Sequence, residues 1–217
     1  MSVRRRIASI LAVACALVPL TGCVIQTGGD SGDGSDGSGG EGTNQSAGDG
    51  GAGSGDTRTL QAGPVTMRIP SSWKVQPEGG GRIHVITEGT CTKQGYLTAD
   101  DCTGFWILSS SALATGHEGG PFEIDSPYYP ASDAQPCPGN PSYLQSLPSA
   151  PSKKSIVPVG NRYARYREWV FDCTDSTGNS KGGFTQRVVY LPVSRWLLVD
   201  NHQTPGLLGR LQDATVS

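Results

Sequence analysis

Arg162-Tyr163-Ala164-Arg165-Tyr166-Arg167-Glu168-Trp169-Val170-Phe171-Asp172-Cys173 is a long run rich in Tyr, Trp, Val and Phe. Such residues suit a pleated, half-buried surface, so the stretch reads as a strand. Asp175 to Gly183 is turn chemistry, and Phe184 to Leu191 resumes the β pattern. The two runs pair as an antiparallel hairpin, which sets the fold class. Side chains alternate along a strand with period two, so Arg165 and Arg167 share a face with Trp169 and Phe171. Either a bulge turns the arginines outward, or they mark an edge that contacts an acidic partner. Arg162, Arg165 and Arg167 are therefore candidate binding residues, with a solvated strand end as the other reading.

Working outward, Trp196-Leu197-Leu198-Val199 supplies the last strand. Thr204 offers a hydroxyl N-cap and Pro205 suits the first helical position, and Leu207, Leu208, Leu211 and Ala214 fall on one helical face. Upstream, Val65, Met67 and Ile69 alternate with Thr66 and Arg68 until Pro70, ahead of Trp73 and Val75. Arg82 to Thr87 alternates again, with Ile83 and Val85 on one face and His84 on the other. Gly104-Phe105-Trp106-Ile107-Leu108 is apolar on both faces and reads as a central strand. From Pro121 to Pro158 the prolines are too frequent for regular structure, apart from a turn of helix near Ser142 to Leu147. So long an irregular segment in a compact domain is often functional. The expected class is α+β: an antiparallel β-sheet domain with a C-terminal helix over part of one face.

The N-terminal residues read differently. Arg4-Arg5-Arg6 precede Ile7 to Leu20, an apolar stretch interrupted by Ser9 and Pro19. A membrane-spanning helix needs about 20 apolar residues, so this stretch is too short. Basic, apolar and small residues in that order are those of a secretory signal peptide. Leu20-Thr21-Gly22-Cys23 resembles the bacterial lipobox, which implies cleavage before Cys23 and diacylglyceryl transfer to its sulfur. Two acyl chains anchor a protein stably without a transmembrane helix. A plain signal peptide with an incidental Cys23 is the alternative. Ser2 to Ile7 also loosely matches a twin-arginine signal, so both export routes stay open.

Val24 to Asp56 is almost wholly Gly, Ser, Asp, Ala, Thr, Asn and Gln, too polar to offset the entropy of ordering. A Gly/Ser-rich tether of this length has an r.m.s. span of about 30 Å. The expected organisation is a signal peptide over 1–22, a lipidated cysteine and disordered tether over 23–57, and one extracytoplasmic domain over 58–217. The location implied is the outer face of the cell membrane, with the lipid on Cys23 as the membrane contact.

Positions 58–217 hold fourteen basic and thirteen acidic residues. So balanced a domain lacks the basic footprint of a nucleic-acid binder. With Cys15 lost and Cys23 acylated, Cys91, Cys102, Cys137 and Cys173 are left, an even count that suggests two disulfides among three connectivities. Cys91 with Cys102 is favoured because both flank a Gly/Asp-containing excursion between strand-like runs. That leaves Cys137 with Cys173, a bridge that pins the proline-rich segment to the long hairpin. A four-cysteine zinc site lacks the paired Cys-x-x-Cys spacing.

Met67-Arg68-Ile69-Pro70-Ser71-Ser72-Trp73, a strand ending in Ile-Pro with Trp three residues on, resembles the opening of PsbP-like domains of actinobacterial lipoproteins. The late hairpin, final strand and closing amphipathic helix are similar to the way those domains end. The resemblance implies a noncatalytic accessory or binding module on an antiparallel sheet flanked by helices. The proline-rich middle and the four cysteines depart from that pattern, and no binding residues carry over.

Residues with chemistry are sparse. Gly178-Asn179-Ser180-Lys181-Gly182 matches the Gly-x-Ser-x-Gly elbow, but the elbow needs a strand before it and a helix after, and here a strand follows. His84, His117 and His202 fall in no metal-ligand spacing, and structural roles explain them better. Asp172 and Asp175 near Gly178 depart from a calcium-loop spacing and read as hairpin turn residues. Tyr128-Tyr129, held between Pro127 and Pro130, is a candidate aromatic platform for a ligand, against packing on the sheet. No cofactor or metal is indicated. The function expected is a noncatalytic lipid-anchored accessory protein that engages a cell-wall component or an exported protein. The alternative is a cell-wall hydrolase using paired carboxylates.

Overall fold

The computed structural model describes residues 55–91 and 102–217. The signal peptide, Cys23 and all but the end of the tether lie outside the described residues. In chain order the strands are β1 (Thr57–Ala62), β2 (Val65–Pro70), β3 (Lys74–Gly79), β4 (Arg82–Gly89), β5 (Cys102–Leu108), β6 (Pro136–Cys137) and β7 (Asn140–Ser146). There follow β8 (Lys153–Val159), β9 (Arg162–Thr174), β10 (Ser180–Leu191), β11 (Trp196–Asp200), the helix α1 (Leu207–Gln212) and β12 (Thr215–Val216). Every pair of these strands is antiparallel. The class is mostly antiparallel β with one short helix among the described residues.

The large sheet runs β3-β4-β5-β11-β10-β9-β7-β6, with β8 also paired to β9. The small sheet is β1-β2-β12. The apolar run of β5 sits between β4 and β11, as an apolar strand on both faces should. Its side chains divide between two cores. Phe105 and Ile107 join Ala164, Tyr166, Val189, Leu191, Trp196 and Leu198 in a core closed by Met67 and Ile69 of β2 and by Leu207 and Leu211 of α1. Trp106 and Leu108 join Trp169, Phe171, Val188, Leu197 and Val199 in a second core, closed by Leu113, Phe122, Ile124, Tyr128 and Tyr129 of the 109–135 segment. Both faces of the large sheet are therefore covered, by different layers.

That division resolves the parity of β9. Its pairing with β10 runs without a shift from Phe171 to Arg165, and its pairing with β8 without a shift from Glu168 to Arg162. No bulge turns the arginines outward, and strands pair on both sides of β9, so it is not an edge. Instead its two ends bury opposite faces. Ala164 and Tyr166 point into the first core, Trp169 and Phe171 into the second.

Three local expectations are corrected. The proline-rich stretch is irregular only to residue 135; then come β6, β7 and β8, so the expected helical turn near Ser142 to Leu147 is strand as far as Ser146. Pro158 is tolerated because β8 pairs with β9 alone and its other edge needs no N–H. The helix is also shorter than the pattern suggests. It starts at Leu207 after Gly206 in the left-handed region (φ 69°), and no side-chain cap is made. Thr204 instead donates its hydroxyl to Asp200, 3.3 Å away, so the expected capping oxygen is used in the loop. Beyond α1, β12 adds a short strand to β2 that the sequence pattern did not mark.

Cys91 with Cys102 and Cys137 with Cys173 lie at disulfide distance, with Cα atoms 5.1 and 6.0 Å apart. The second pair joins β6 to β9, beside the β7–β9 pairs Gln145↔Cys173 and Ser146↔Asp172. The proline-rich segment is thereby tied to the long hairpin.

Candidate functional site

On the face of β9 that carries the second core, cover ends at Asp125. Its carboxylate accepts from Arg167 Nη2 at 3.3 Å and from Lys154 Nζ at 3.5 Å. Slight desolvation opposes ionisation of Asp125, but hydrogen bonding to Arg167 and the charges of Lys154 and Arg167 hold it below the ordinary carboxylate range. Arg167 is thus tied to the loop that covers its strand. Past this latch the sheet is bare. Ile156 is 70% and Tyr163 77% exposed, and Arg165, in register with Ile156 and Tyr190, is exposed between them. Arg162 and Arg165 have no ion pair among the described residues. A groove of about 180 Å³ continues round the strand end, lined by Arg162, Tyr163, Leu191, Pro192 and fully exposed Val193. Large apolar groups interleaved with guanidinium groups that form no ion pair among the described residues make a cationic, partly apolar shelf, a surface suited to binding.

The tyrosine pair is not part of that shelf. Tyr128 and Tyr129 are buried, and their rings belong to the second core, so packing accounts for them. Gln186 of β10, itself buried, holds them there: its Oε1 accepts from the Tyr128 N–H at 2.8 Å and its Nε2 donates to the Tyr128 carbonyl at 3.1 Å. The Tyr129 hydroxyl donates to the Asp133 carbonyl and accepts from the Gln135 N–H. Burial pushes both phenols above their ordinary pKa. A glutamine inside a β pattern gives no sign in sequence that it will clamp a loop.

On the opposite face a row of alternating charges crosses four strands. Lys153, Glu168, Arg187 and Asp200 stand in register on β8, β9, β10 and β11. Lys153 pairs with Glu168 at 3.6 Å, and Glu168 accepts from the Tyr166 hydroxyl at 2.5 Å. Asp200, fully buried, receives Arg187, the backbone N–H groups of His202 and Thr204 at 3.0 and 2.9 Å, and the Thr204 hydroxyl. The carboxylate therefore shapes the loop after β11. That loop walls a cleft of about 360 Å³ lined by Trp73, Thr87, Glu88, Thr103, His202 and Thr204. Hydroxyls dominate its polar lining, with Glu88 its one carboxylate.

The remaining sequence candidates are scattered. His84 lies on β4, in register with Trp106 and stacked on its ring with centroids 4.2 Å apart, and its Nδ1 faces Cys91 Sγ at 3.8 Å. Burial first, and the charge of His202 second, push its imidazole down to about 4. His117 bridges Gly120 and Tyr129 through backbone, far along the chain from any other histidine. Asp175 organises the β9–β10 turn, accepting from Thr177 N–H and hydroxyl, Asn179 N–H and Lys181. Ser180 opens β10, so no helix follows it.

Comparison with protein-family models, with curated proteins and with solved structures finds no match for this chain.

Proposed function

We propose that this chain is a noncatalytic, lipid-anchored binding protein of the outer face of the cell membrane. Its domain takes an anionic cell-wall component or an acidic exported protein on the Arg162–Arg165 shelf. The observation that carries the reading is the bare end of β8 and β9. Ile156 and Tyr163 stand exposed beside two guanidinium groups that form no ion pair among the described residues, an apolar and cationic combination that serves no packing. Cys23 supplies the anchor, and the Gly/Ser-rich tether lets the domain sample the layer above the bilayer. The two cysteine pairs at disulfide distance are consistent with an oxidising compartment. The PsbP-like resemblance of residues 67–73 points the same way, towards an accessory module.

Calorimetric titration of the purified protein with acidic wall fragments tests the shelf. Tyr163→Ala and Arg165→Glu should each weaken binding at least about tenfold, the loss expected of a hot-spot aromatic or a reversed charge. Binding unaltered by both substitutions would remove the shelf from the reading. Turnover of the fragments, lost on one Asp or Glu substitution, would replace it by the hydrolase alternative. That mechanism uses two carboxylates, of which the Trp73 cleft offers Glu88. For the anchor, Cys23→Ala should yield precursor or released protein, and unchanged membrane fractionation of that variant would refute lipidation.

A further inference from the structure

We propose that His84, Cys91 and Cys102 form a three-ligand site for a thiolate-seeking cation of the Zn²⁺ class once a dithiol reductant opens the Cys91–Cys102 bond. One ligand atom from each residue lies within 4.8 Å of the others. In a tetrahedral zinc site, with Zn–S about 2.3 Å and Zn–N about 2.0–2.1 Å, neighbouring ligand atoms sit about 3.5–3.8 Å apart. The Nδ1 to Sγ distance from His84 to Cys91, 3.8 Å, already has that size. The two sulfurs must part, from a bond of about 2.0 Å to about 3.8 Å, and Cys102 Sγ, within 4.8 Å of the His84 nitrogen, must come to the same spacing from it, changes that side-chain rotation supplies.

The donors are held by the sheet. His84 lies on β4 and Cys102 on β5, a neighbouring strand in register, and Cys91 follows β4 by two residues. The imidazole ring is fixed by its stack on Trp106, the two planes nearly parallel at 7°, and His84 is 8% exposed, so its Nδ1 is aimed at Cys91 before any ion arrives. Cys91 is half-buried, which leaves an entry path, and three protein ligands leave the fourth position to water. The second cysteine pair has no such neighbour: no histidine or carboxylate joins Cys137 and Cys173 in a comparable cluster among the described residues.

The chemistry balances. The dithiol gives two electrons and two protons, the sulfur–sulfur bond breaks to two thiols, and the reductant closes to its own disulfide. The cation then displaces both thiol protons to solvent. Metal and disulfide exclude one another, so the bound ion keeps the pair reduced and oxidation expels the ion. This site is independent of the shelf and of the anchor.

The test uses the full chain, reduced with a dithiol, freed of it without air, and titrated with Co²⁺ and then Zn²⁺. One Co²⁺ per chain should release two protons and give thiolate-to-cobalt charge-transfer and tetrahedral ligand-field bands, and one equivalent of Zn²⁺ should abolish the bands with no further proton release. The oxidised protein should stay silent. Cys91→Ser/Cys102→Ser, reduced in the same way, should show no stoichiometric site, and His84→Gln should bind at least about tenfold more weakly with altered bands. Proton release by the wild-type protein reads the two thiols without any variant, so a folding defect in His84→Gln leaves the site testable. A site that survives loss of both cysteines, affinity unmoved by His84→Gln, or a reduced wild-type protein without charge-transfer bands would each overturn the proposal.

Discussion

Asp200→Ala should unfold this domain more readily than any single loss of a surface charge. The carboxylate is fully buried, and Arg187, its partner across the β10–β11 ladder, has a side chain 16% exposed. Removing one member of a buried ion pair costs about 3–5 kcal/mol, because the other charge is left without compensation. Arg187 keeps the Thr204 carbonyl at 3.0 Å, which places the cost in the lower part of that range. The buried Thr204 N–H, bonded to Asp200 at 2.9 Å, loses its acceptor and adds about 1 kcal/mol or more. The His202 N–H belongs to an exposed residue, and water replaces its partner. The sum is about 4 kcal/mol, and with a urea m-value of about 2 kcal/mol/M the midpoint should fall by about 2 M. Arg187→Met/Asp200→Leu removes both charges, strands the Thr204 donors and carbonyl but no charge, and should cost about 1–2 kcal/mol. Urea unfolding followed by tryptophan fluorescence, with both cysteine pairs oxidised, measures the two. A double variant as unstable as Asp200→Ala, or a single variant within about 1 kcal/mol of wild type, would show that the pair is not what holds the loop.

Four further outcomes follow from other sites. His84 has its pKa lowered to about 4 from 6.5, so the unfolded chain takes up its proton first and stability is lost as pH falls from 6.5 to 4. The loss should reach about 3 kcal/mol in urea midpoints across that window and vanish in His84→Gln. Replacing Cys137 and Cys173 by serine opens a 36-residue loop and should cost about 4 kcal/mol. Opening the 11-residue loop of Cys91 and Cys102 should cost about 3 kcal/mol, and a reversed order would contradict the chain-entropy account. Gly160→Ala places a Cβ 2.2 Å from the Ala214 carbonyl at φ 54°, and a thermal melt should show at least about 2 kcal/mol lost. Asp125→Asn frees Arg167 and Lys154 at a cost below about 1 kcal/mol and should tighten binding of acidic wall fragments, measured by calorimetry.

How much of this was legible follows from what each residue packs against. Phe105, Trp106, Ile107 and Leu108 announce a strand buried on both faces because all four are apolar, and β5 is that strand. Met67 and Ile69 announce their strand by alternation, since β2 is covered on one face only. The hairpin of β9 and β10 was legible from its Tyr, Trp, Val and Phe content and the turn residues between its strands, and Cys91 with Cys102 from the runs that flank them, which left Cys137 with Cys173. β7 and β8 were not. Their burial alternates weakly, and what holds them is pairing to β9 and a distant cysteine bond, neither of which a local pattern encodes. The tyrosine pair misled because prolines on either side look like rigid presentation, whereas Gln186, 58 residues after Tyr128, decides that the rings point inward.

The arginines of β9 misled for a reason that also locates the candidate site. A 13-residue strand is about 44 Å long, more than either covering layer spans. The small sheet and α1 cover one face at the Ala164–Tyr166 end, and the 109–135 segment covers the other at the Trp169–Phe171 end. Two offset covers leave two opposite quadrants bare, one at Arg165 and Tyr163, the other at Val170, which is 52% exposed. Period-two reasoning treats a face as wholly buried or wholly wet, so Arg165 beside Trp169 reads as a conflict that a bulge must repair. With offset covers no repair is needed, because the same face is core at one end and solvent at the other. The two bare quadrants differ in kind. Val170 stands with acidic Asp172 and the polar turn, whereas Tyr163 and Ile156 stand with Arg165, and Arg162 lines the groove round the strand end beside Tyr163. Only the second joins large apolar area to positive charge without an ion pair among the described residues, and it adjoins the loop edge where the neighbouring cations Arg167 and Lys154 already hold the Asp125 carboxylate.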